Sequence, residues 1–246
     1  MKMFMYVAML GILLCVPAAA QPQVNYLGGL GEMPVIEHGL GCCCPIGNLG
    51  QPASILEDAE TYSLYNALTF DPNLFGCGCA VGFEIHNIHL VMAKLDDVPR
   101  TIGLQVGLGD APLLPEEPGP CYEPNICSNW ELPVQCWTPY ATVSVAAAGY
   151  YEFVFPFTCE CVFLNYAHSI FFYGSTFLYD AGMRYVLDSS PDHCPDYIWG
   201  EGLMGRCHWY PFEADGNYMV WLDTSCCEGP ITNESRTWSE VKAMYR

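Results

Sequence analysis

The chain is predicted to be an all-β protein of the β-sandwich or jelly-roll type, with roughly nine strands, several disulfides and a short C-terminal helix. Three observations support this prediction. Apolar residues alternate with polar residues over short segments, Pro and Gly cluster between those segments, and 15 of the 246 residues are cysteines. No internal segment has a sustained helical period, so helices are not expected within the body of the chain.

The first 20 residues have the features of an export signal. Lys2 provides a positive charge, Phe4 to Val16 form a short apolar stretch, and three alanines ending at Ala20 form a cleavage site. The apolar stretch is too short for a stable membrane span. We therefore predict a protein that is secreted or held at the cell surface, with no transmembrane segment after cleavage of residues 1–20.

Residues 21–60 are rich in Gly, Pro and Cys and show no clear periodicity, so they are predicted to form an irregular lead-in. The β-sandwich domain is predicted to span residues 61–228. Within it, Ile102 to Leu108 and Ala141 to Ala147 alternate with a period of two, as in half-buried strands. The segment from Tyr150 to Phe157 is apolar at both parities, which is typical of a strand buried on both faces.

Two local features are predicted from finer patterns. Between Phe83 and Met92 the apolar residues change from odd to even positions, which indicates a β-bulge near His86 and Asn87. A strand buried on both sides is the alternative. Asp215-Gly216, which lies between two aromatic segments, is a typical hairpin turn.

An even number of cysteines, fourteen, follows the export signal, and in an exported chain this predicts seven disulfides. These residues are Cys42, Cys43, Cys44, Cys77, Cys79, Cys121, Cys127, Cys136, Cys159, Cys161, Cys194, Cys207, Cys226 and Cys227. Adjacent cysteines pair poorly with each other because their side chains point apart. Each is therefore expected to reach a separate partner, which would tie the N-terminal segment and the end of the last strand to the body.

Two pairs of cysteines, Cys77/Cys79 and Cys159/Cys161, have the same spacing beside predicted strands. Antiparallel pairing of those strands would join Cys77 to Cys161 and Cys79 to Cys159. The alternative is a zinc site with four thiolate ligands. Farther along the chain, Cys194 and Cys207 could close the loop between them.

The charge balance excludes some partners. Without Lys2 the chain has seven basic residues against 27 acidic ones, a formal charge of −20. Such a surface repels phosphate backbones, which argues against nucleic acid as a partner, and anionic membranes are disfavoured for the same reason. An acidic surface suits divalent cations, basic partners or simple solubility.

Calcium is the cofactor that the acidic segments could bind. Calcium prefers several oxygen ligands from a flexible loop, and two segments near the C-terminus are rich in such oxygens. The candidate ligands are Asp188, Asp192, Asp196, Glu213, Asp215 and Asn217. The alternative is ordinary solvated loop residues.

Histidines give a weaker metal signal. His86-x-x-His89 would share a face only on a helix, whereas on a regular strand the two histidines face opposite ways. His193 and His208 adjoin cysteines that are expected to be oxidised.

Aromatic residues are frequent in the C-terminal third, where Trp199, Trp209, Tyr210 and Trp221 are candidate ligand-binding residues. Exposed aromatic rings on a sheet can stack on sugar rings, so these residues could form a glycan site. The alternative is that they fill the core.

The C-terminal tail, residues 229–246, is predicted to contain a short amphipathic helix from Thr237 to Arg246. Its sequence, Thr-Trp-Ser-Glu-Val-Lys-Ala-Met-Tyr-Arg, resembles a short tail of secreted proteins from bacteria. Together with Trp199-Gly200, Trp209-Tyr210 and Cys226-Cys227, it gives the chain a resemblance to uncharacterised secreted bacterial β-sandwich proteins. The resemblance implies a sorting or surface-attachment tail and brings no catalytic residues. The alternative is a helix that packs on the sandwich.

No catalytic residue is predicted, because the sequence contains no zinc-protease, nucleophile-elbow or phosphate-loop motif. The preferred hypothesis is an exported, non-catalytic module, extracellular or at the cell surface, that binds a ligand such as a glycan. One alternative is a structural subunit of an extracellular fibre or coat, which would self-assemble. The other is a secreted hydrolase with an unrecognised acidic site.

Overall fold

A computed structural model gives the arrangement of most of the body of the chain. It describes residues 21–37, 44–48, 50–56, 65–70, 79, 82–110, 134–157, 159, 162–163, 168–174, 177–189, 196–201, 207–211 and 216–227. The predicted export signal and the predicted C-terminal helix lie outside these residues, so both stay predictions.

The described residues form sixteen strands, numbered in chain order, in two sheets. The nine-stranded sheet consists of β1 (Gln23–Gly28), β2 (Cys44–Gly47), β3 (Pro52–Ile55), β5 (Gly82–Lys94), β9 (Gly149–Pro156), β10 (Val162–Phe163), β12 (Met183–Asp188), β15 (Asn217–Tyr218) and β16 (Val220–Cys226). The seven-stranded sheet consists of β4 (Tyr65–Phe70), β6 (Arg100–Asp110), β7 (Val134–Trp137), β8 (Ala141–Val145), β11 (His168–Gly174), β13 (Asp196–Glu201) and β14 (Cys207–Pro211).

Each sheet is built around one long strand, and all the pairings are antiparallel. In the nine-stranded sheet, β5 pairs with β9 and β10 along one edge and with β16 and β12 along the other. In the seven-stranded sheet, β6 pairs with β11 on one side and with β7 and β8 on the other. The prediction of an all-β fold with antiparallel sheets is confirmed.

The two sheets share one hydrophobic core, as in a sandwich. Residues from both sheets belong to the same buried cluster, and the ring of Phe172 on β11 packs edge-on against Tyr218 on β15, with centroids 4.9 Å apart. A polar bridge also crosses this core. Asn66 on β4 donates a hydrogen bond to Tyr185 on β12 and accepts one from Tyr218, each 3.0 Å long. Since all three side chains are buried, these bonds satisfy polar groups that would otherwise be costly to bury.

The predicted alternation is confirmed in two strands of the seven-stranded sheet. Ile102, Leu104, Val106 and Leu108 of β6 all point into the core, and β8 alternates between buried and exposed residues along its length. Such period-two burial places the residues between them on the outer face of the sheet. The strand predicted to be buried on both faces, β9, has Tyr151, Phe153 and Phe155 in the core, whereas Glu152 and Val154 are only half-buried.

The predicted β-bulge in β5 is also confirmed. Asn87 pairs with Asp223 of β16, but Thr224 pairs with Ile85, so His86 is the extra residue. The bulge lets Ile85 and Ile88 enter the same core although their positions differ in parity.

The N-terminal segment differs from its prediction as an irregular lead-in. It contributes β1, β2 and β3 to the nine-stranded sheet. After β1, residues 28–37 cross the outer face of this sheet, where Leu30, Met33 and Ile36 pack on a second apolar cluster that includes Trp221. Short strands whose partners lie far away in sequence carry no local pattern, so the segment appeared irregular in sequence.

The predicted hairpin at Asp215-Gly216 is not formed. The strand before it, β14, pairs with β13 in the seven-stranded sheet, whereas β15 after it pairs with β12 in the nine-stranded sheet. The chain therefore crosses between sheets here. Gly216 has a φ of 120°, and a Cβ at this position would lie 2.5 Å from the carbonyl oxygen of Asp188, so the crossing needs glycine for both conformation and space.

The described strands outnumber the nine that were expected, because several short segments join the sheets. A single helical turn, α1 (Phe177–Asp180), precedes β12. Within the described ranges no helix is long and apolar enough to cross a membrane. Jelly-roll connectivity stays a prediction.

Two disulfides correct the predicted cysteine pairing. Cys79 bonds to Cys226 and Cys136 bonds to Cys159, so the proposed bond between Cys79 and Cys159 is wrong. The zinc alternative that used these two thiolates is wrong for the same reason. The pairing argument required Cys79 to face a strand beside Cys159, but Cys79 instead lies at the end of β16. Cys227 is also disulfide-bonded, and since Cys226 is bonded to Cys79, the two adjacent cysteines reach separate partners as predicted.

The other cysteine predictions are not decided by these bonds. Cys44 begins β2 and Cys207 begins β14 opposite Glu201. The remaining candidates lie outside the described residues, namely Cys42, Cys43, Cys77, Cys121, Cys127, Cys161 and Cys194.

Candidate ligand-binding face

The outer face of the seven-stranded sheet has glycines on β6, its longest strand. Because Leu104 and Val106 of β6 point into the core, Gly103, Gln105 and Gly107 lie on the opposite, outer side. A glycine inside a strand leaves bare backbone, which allows another group to approach closely.

Two aromatic rings occupy these bare positions. The ring of Trp137, at the end of β7, lies over Gly107: a Cβ there would be 2.6 Å from Cε3 and 2.8 Å from Cδ2 of the indole. Tyr140 reaches Gly103 with its hydroxyl end, because the position that a Cβ would take lies nearest to its Oη and Cζ atoms, with Cε1 2.9 Å away. Neither glycine can therefore gain a side chain unless the ring above it moves.

The segment that carries these rings is fixed to β6 by Thr138. The backbone N–H of Thr138 donates to the carbonyl of Val106 over 2.8 Å, and its Oγ1 accepts a bond of 3.1 Å from the N–H of Val106. The side-chain amide of Gln105 donates to the carbonyl of Thr138 over 2.7 Å. These bonds hold Trp137 and Tyr140 on either side of Thr138, so the rings are positioned before any ligand arrives.

The aromatic surface continues onto β11. Tyr173 is half-buried and its ring centroid is 6.1 Å from that of Tyr140, while Phe171 packs 6.4 Å from Trp137. Tyr140 is 49% exposed, which makes it more accessible than Trp137, Phe171 and Tyr173. The group combines ring faces with the hydroxyls of Tyr140 and Tyr173, and both kinds of surface are useful for binding an amphipathic ring.

The strand register continues from Gln105 across the sheet to further aromatic residues. Gln105 pairs with Tyr173, Tyr173 with Tyr65 and Tyr65 with Trp199. Trp199 in turn pairs with Trp209 on β14. Five strands therefore present one line of register partners, of which four are aromatic. We call these five residues, together with Tyr140, the aromatic row.

The predicted ligand residues divide between the two sheets. Trp199 and Trp209 both belong to the aromatic row, and Tyr210 follows Trp209 opposite Ile198. Trp221 instead lies in β16 of the nine-stranded sheet, is only 3% exposed and packs in the second apolar cluster. It is therefore a core residue and its prediction as an exposed sugar-binding ring is wrong, because the N-terminal segment covers that face.

A different arrangement occupies the outer face of the nine-stranded sheet. His89 on β5 donates from Nδ1 to Glu152 on β9 over 2.8 Å and from Nε2 to Asp223 on β16 over 2.9 Å. Asn25 on β1 donates to Glu152 over 2.8 Å, and Asn87 donates to Asp223 over 3.3 Å. We call these five side chains the His89 ladder, because they link four neighbouring strands. The His89 ring also stacks on Trp221, with centroids 4.7 Å apart.

The two carboxylates keep His89 charged. Burial alone would lower the pKa of His89, but its hydrogen bonds to Asp223 and Glu152 and their negative charges outweigh burial and raise the pKa to about 9. The pKa of Asp223 is lowered, chiefly by the His89 hydrogen bond. Burial tends to raise the pKa of Glu152, but the hydrogen bonds from His89 and Asn25 bring it below its usual value. At neutral pH the ladder is therefore a cation between two anions.

The histidine motif does not form a metal site. His86 and His89 both lie on the outer side of β5, because the extra residue at the bulge shifts the alternation of faces by one position. The expectation that they face opposite ways is therefore wrong. His86 Nε2 lies 2.7 Å from Ser225 Oγ, while both nitrogens of His89 contact carboxylates. Across the part of the chain that the structure describes, no group of three or more His, Cys, Asp or Glu side chains is arranged to hold a metal ion.

Three of the six predicted calcium ligands, Asp188, Asp196 and Asn217, lie in described strands. Asp188, at the end of β12, pairs with Asn217 of β15, and its buried carboxylate accepts a 2.9 Å hydrogen bond from the N–H of Gly50. Asp196 begins β13 in the other sheet, so Asp188 and Asp196 stand at the two ends of the segment that was predicted to be a calcium loop. Asp192, Glu213 and Asp215 lie outside the described residues, as does His193. His208 pairs with Gly200 between β13 and β14.

Several residues of both faces were missed by sequence reasoning. A usable signal existed for the aromatic row, since glycines at alternate outward positions of β6 indicate close approach of another group. Tyr140 follows closely after Trp137, at the end of a long proline-rich segment. Glu152, Asp223 and Asn25 carried no signal, because only the strand register brings them beside His89.

Comparisons with protein-family models, with curated proteins and with solved structures found no match. The chemistry of the two faces is therefore the basis for assigning function. The register brings together Tyr and Trp, residue types that can stack on an amphipathic ligand, whereas the polar groups of the His89 ladder bond to one another.

Proposed function

We propose that this chain is an exported, non-catalytic module that binds a glycan through the aromatic row of its seven-stranded sheet. Sugar rings present C–H groups on their faces and hydroxyls at their rims, so they suit a surface of aromatic faces, phenolic hydroxyls and an amide. Disulfides support an oxidising, extracellular location, either secreted or at the cell surface. Calcium binding, self-assembly in a fibre or coat, and hydrolysis by an unrecognised acidic site stay predictions.

The observation that carries this proposal is the position of Tyr140. Tyr140 is half exposed, its hydroxyl end lies against Gly103, and its ring stands beside Tyr173, two residues after the anchored Thr138. A ring that is fixed in advance loses little conformational entropy on binding, which favours affinity. About half of Tyr140 stays accessible to solvent, whereas Trp137 and Phe171 beside it are more deeply buried.

Tyr140→Ala tests the proposal, and Tyr26→Ala is a matched control. Tyr26 is 53% exposed and lies over Gly149, but it belongs to the edge of the nine-stranded sheet. We expect Tyr140→Ala to weaken glycan binding about tenfold, as for the loss of one ring contact. Tyr26→Ala should leave binding unchanged.

Affinity electrophoresis in gels that contain soluble polysaccharides would measure these effects, with titration calorimetry on the oligosaccharide that binds. Circular dichroism of both variants would check that they fold. Equal binding by wild type and Tyr140→Ala would contradict the proposed site, and wild-type protein that binds no glycan would contradict the proposed function.

A further inference from the structure

The aromatic row runs across the strands, and its direction and length bear on the kind of glycan that it could bind. From Gln105 to Trp209 the register partners follow one another through five neighbouring strands. At ~4.8 Å between strands, the row is about 19 Å long. This step is close to the length of one sugar unit, so successive strands can meet successive rings of an extended chain.

The charge of the protein restricts the ligand further. The formal charge of −20 after loss of the export signal opposes binding of polysaccharides that carry carboxylates or sulfates. The aromatic row contains no Asp, Glu, Lys, Arg or His, since it consists of Tyr, Trp and Gln. Recognition by such groups depends on ring contacts and hydrogen bonds, and salt screens neither strongly.

The shape of the surface favours a flat ligand. At one end of the row, glycines of β6 let Tyr140 and Trp137 lie close to the strand backbone. A sheet face whose aromatic groups contact the strand backbone is shallow, and a shallow face suits a ribbon-like chain with β-linkages better than a coiled one.

We infer that the aromatic row binds an uncharged, β-linked oligosaccharide of several units that lies across the strands of the seven-stranded sheet. This inference rests on the proposed function and adds the charge class, the linkage geometry and the multiplicity of the contacts. Its consequences are an affinity that rises with ligand length and does not depend on salt.

The test is a calorimetric titration of the wild-type chain with four probes. Cellohexaose and the hexamer of N-acetylglucosamine are flat and neutral, maltohexaose is neutral and coiled, and a galacturonate hexamer is anionic. Each neutral flat hexamer is compared with its own dimer. We expect at least one of these hexamers to bind about tenfold or more tightly than its dimer, as for additional ring contacts along the row. Its affinity should be unchanged between about 50 mM and about 500 mM NaCl.

Other outcomes separate this inference from the proposed function. Equal affinity for hexamer and dimer would overturn the extended row while leaving a single-ring glycan site at Tyr140. Tighter binding of the galacturonate hexamer or of maltohexaose would overturn the ligand class. Failure of all four probes to bind, together with failure in the polysaccharide gels, would overturn both.

Variants at the far end of the row give a second readout. Trp199→Ala should weaken hexamer binding about tenfold and leave dimer binding at the Tyr140 end unchanged. Trp199→Phe, which keeps a ring, should restore much of the hexamer affinity if the alanine variant folds poorly. Trp199→Ala with unchanged hexamer affinity would overturn the row at this position.

Discussion

The outer faces of the two sheets are occupied in opposite ways. On the nine-stranded sheet the His89 ladder and the segment 28–37 use the polar and apolar groups of that face for internal contacts. On the seven-stranded sheet, glycines in β6 replace side chains, and Tyr140 lies above them half exposed. These contacts indicate that the first face stabilises the fold, and the proposed function places the ligand on the second.

The two faces also differ in what their longest strand contributes. In β5 a charged histidine stands between two carboxylates, so that strand is tied electrostatically to β9 and β16. In β6 the outward positions carry glycines and Gln105, so the neighbouring strands supply the functional groups. Changes to one face should therefore alter stability, and changes to the other should alter binding.

The largest effects are expected for the two disulfides, one of which is attached to each sheet: Cys226 ends β16 of the nine-stranded sheet, and Cys136 lies in β7 of the seven-stranded sheet. Cys79–Cys226 closes a loop of 147 residues and Cys136–Cys159 one of 23. On a chain-entropy basis the paired serine variants should lose about 5 and about 3 kcal/mol of unfolding free energy, respectively. Urea denaturation would measure both losses.

The second disulfide also sharpens the comparison of the faces. Cys136 precedes Trp137, so its loss should loosen β7 and weaken glycan binding, whereas loss of Cys79–Cys226 should leave the affinity of the folded protein unchanged. The reverse pattern of affinities would contradict the assignment of the binding face.

The next largest effect is expected for His89→Gln. Glutamine removes the positive charge and leaves Glu152 and Asp223 close to each other without a cation between them. Since the His89 side chain is only 12% exposed, we expect a loss of about 3 kcal/mol of unfolding free energy, near the lower limit for breaking a buried ion pair. His86→Gln, on the exposed side of the bulge, is the matched control and should lose less than about 1 kcal/mol.

The pH dependence of stability should report the same ladder. His89 has a folded pKa of about 9 and an ordinary value of 6.5, so its contribution is complete below pH 6.5 and is lost as the pH rises towards 9. Between pH 6.5 and 8.5 this amounts to about 2 kcal/mol. The lowered pKa values of Glu152 and Asp223 give the opposite slope in acid, since their contribution is lost as the pH falls below the usual carboxyl range.

Urea denaturation at several pH values, on wild type and His89→Gln in parallel, would measure this dependence. The variant should show a flatter profile between pH 6.5 and 8.5. Profiles with the same slope in this range would show that His89 does not hold its proton more tightly in the folded state.

The smallest effect on stability is expected at Gly103 and Gly107, where the consequence for binding is larger. Gly107→Ala would place a Cβ against the indole of Trp137, and overpacking of this kind costs about 1–3 kcal/mol. Gly103→Ala should displace the exposed ring of Tyr140 into solvent at less than about 1 kcal/mol. Both variants should bind glycan more weakly than wild type. Unchanged affinity in Gly103→Ala would show that the placement of Tyr140 is unimportant.

The sequence predicted those parts of the fold that depend on local pattern. The period-two alternation located β6 and β8, and the change of parity in β5 located the bulge at His86. Pairings between distant segments could not be predicted from the sequence. The bond between Cys79 and Cys226, the crossing between sheets at Gly216 and the three N-terminal strands all depend on partners that local patterns do not identify.

The candidate site was predicted in part. Trp199 and Trp209 were chosen for their ring chemistry, and the register places them in one row, but Trp221 was grouped with them although it belongs to the other sheet. Proximity in sequence was the only guide to proximity in space, and it fails where the chain alternates between sheets. Tyr140 and Tyr173 were missed because only the fold places Tyr140 against Gly103 and brings the two rings together.

The most direct test of this account is a glycan titration of Tyr140→Ala and His89→Gln side by side, with the unfolding free energy of each variant measured on the same preparations. We predict that Tyr140→Ala loses about tenfold in affinity with little loss of stability. His89→Gln should lose about 3 kcal/mol of stability with unchanged affinity while it remains folded. If His89→Gln instead loses the affinity and Tyr140→Ala retains it, the binding face has been assigned to the wrong sheet.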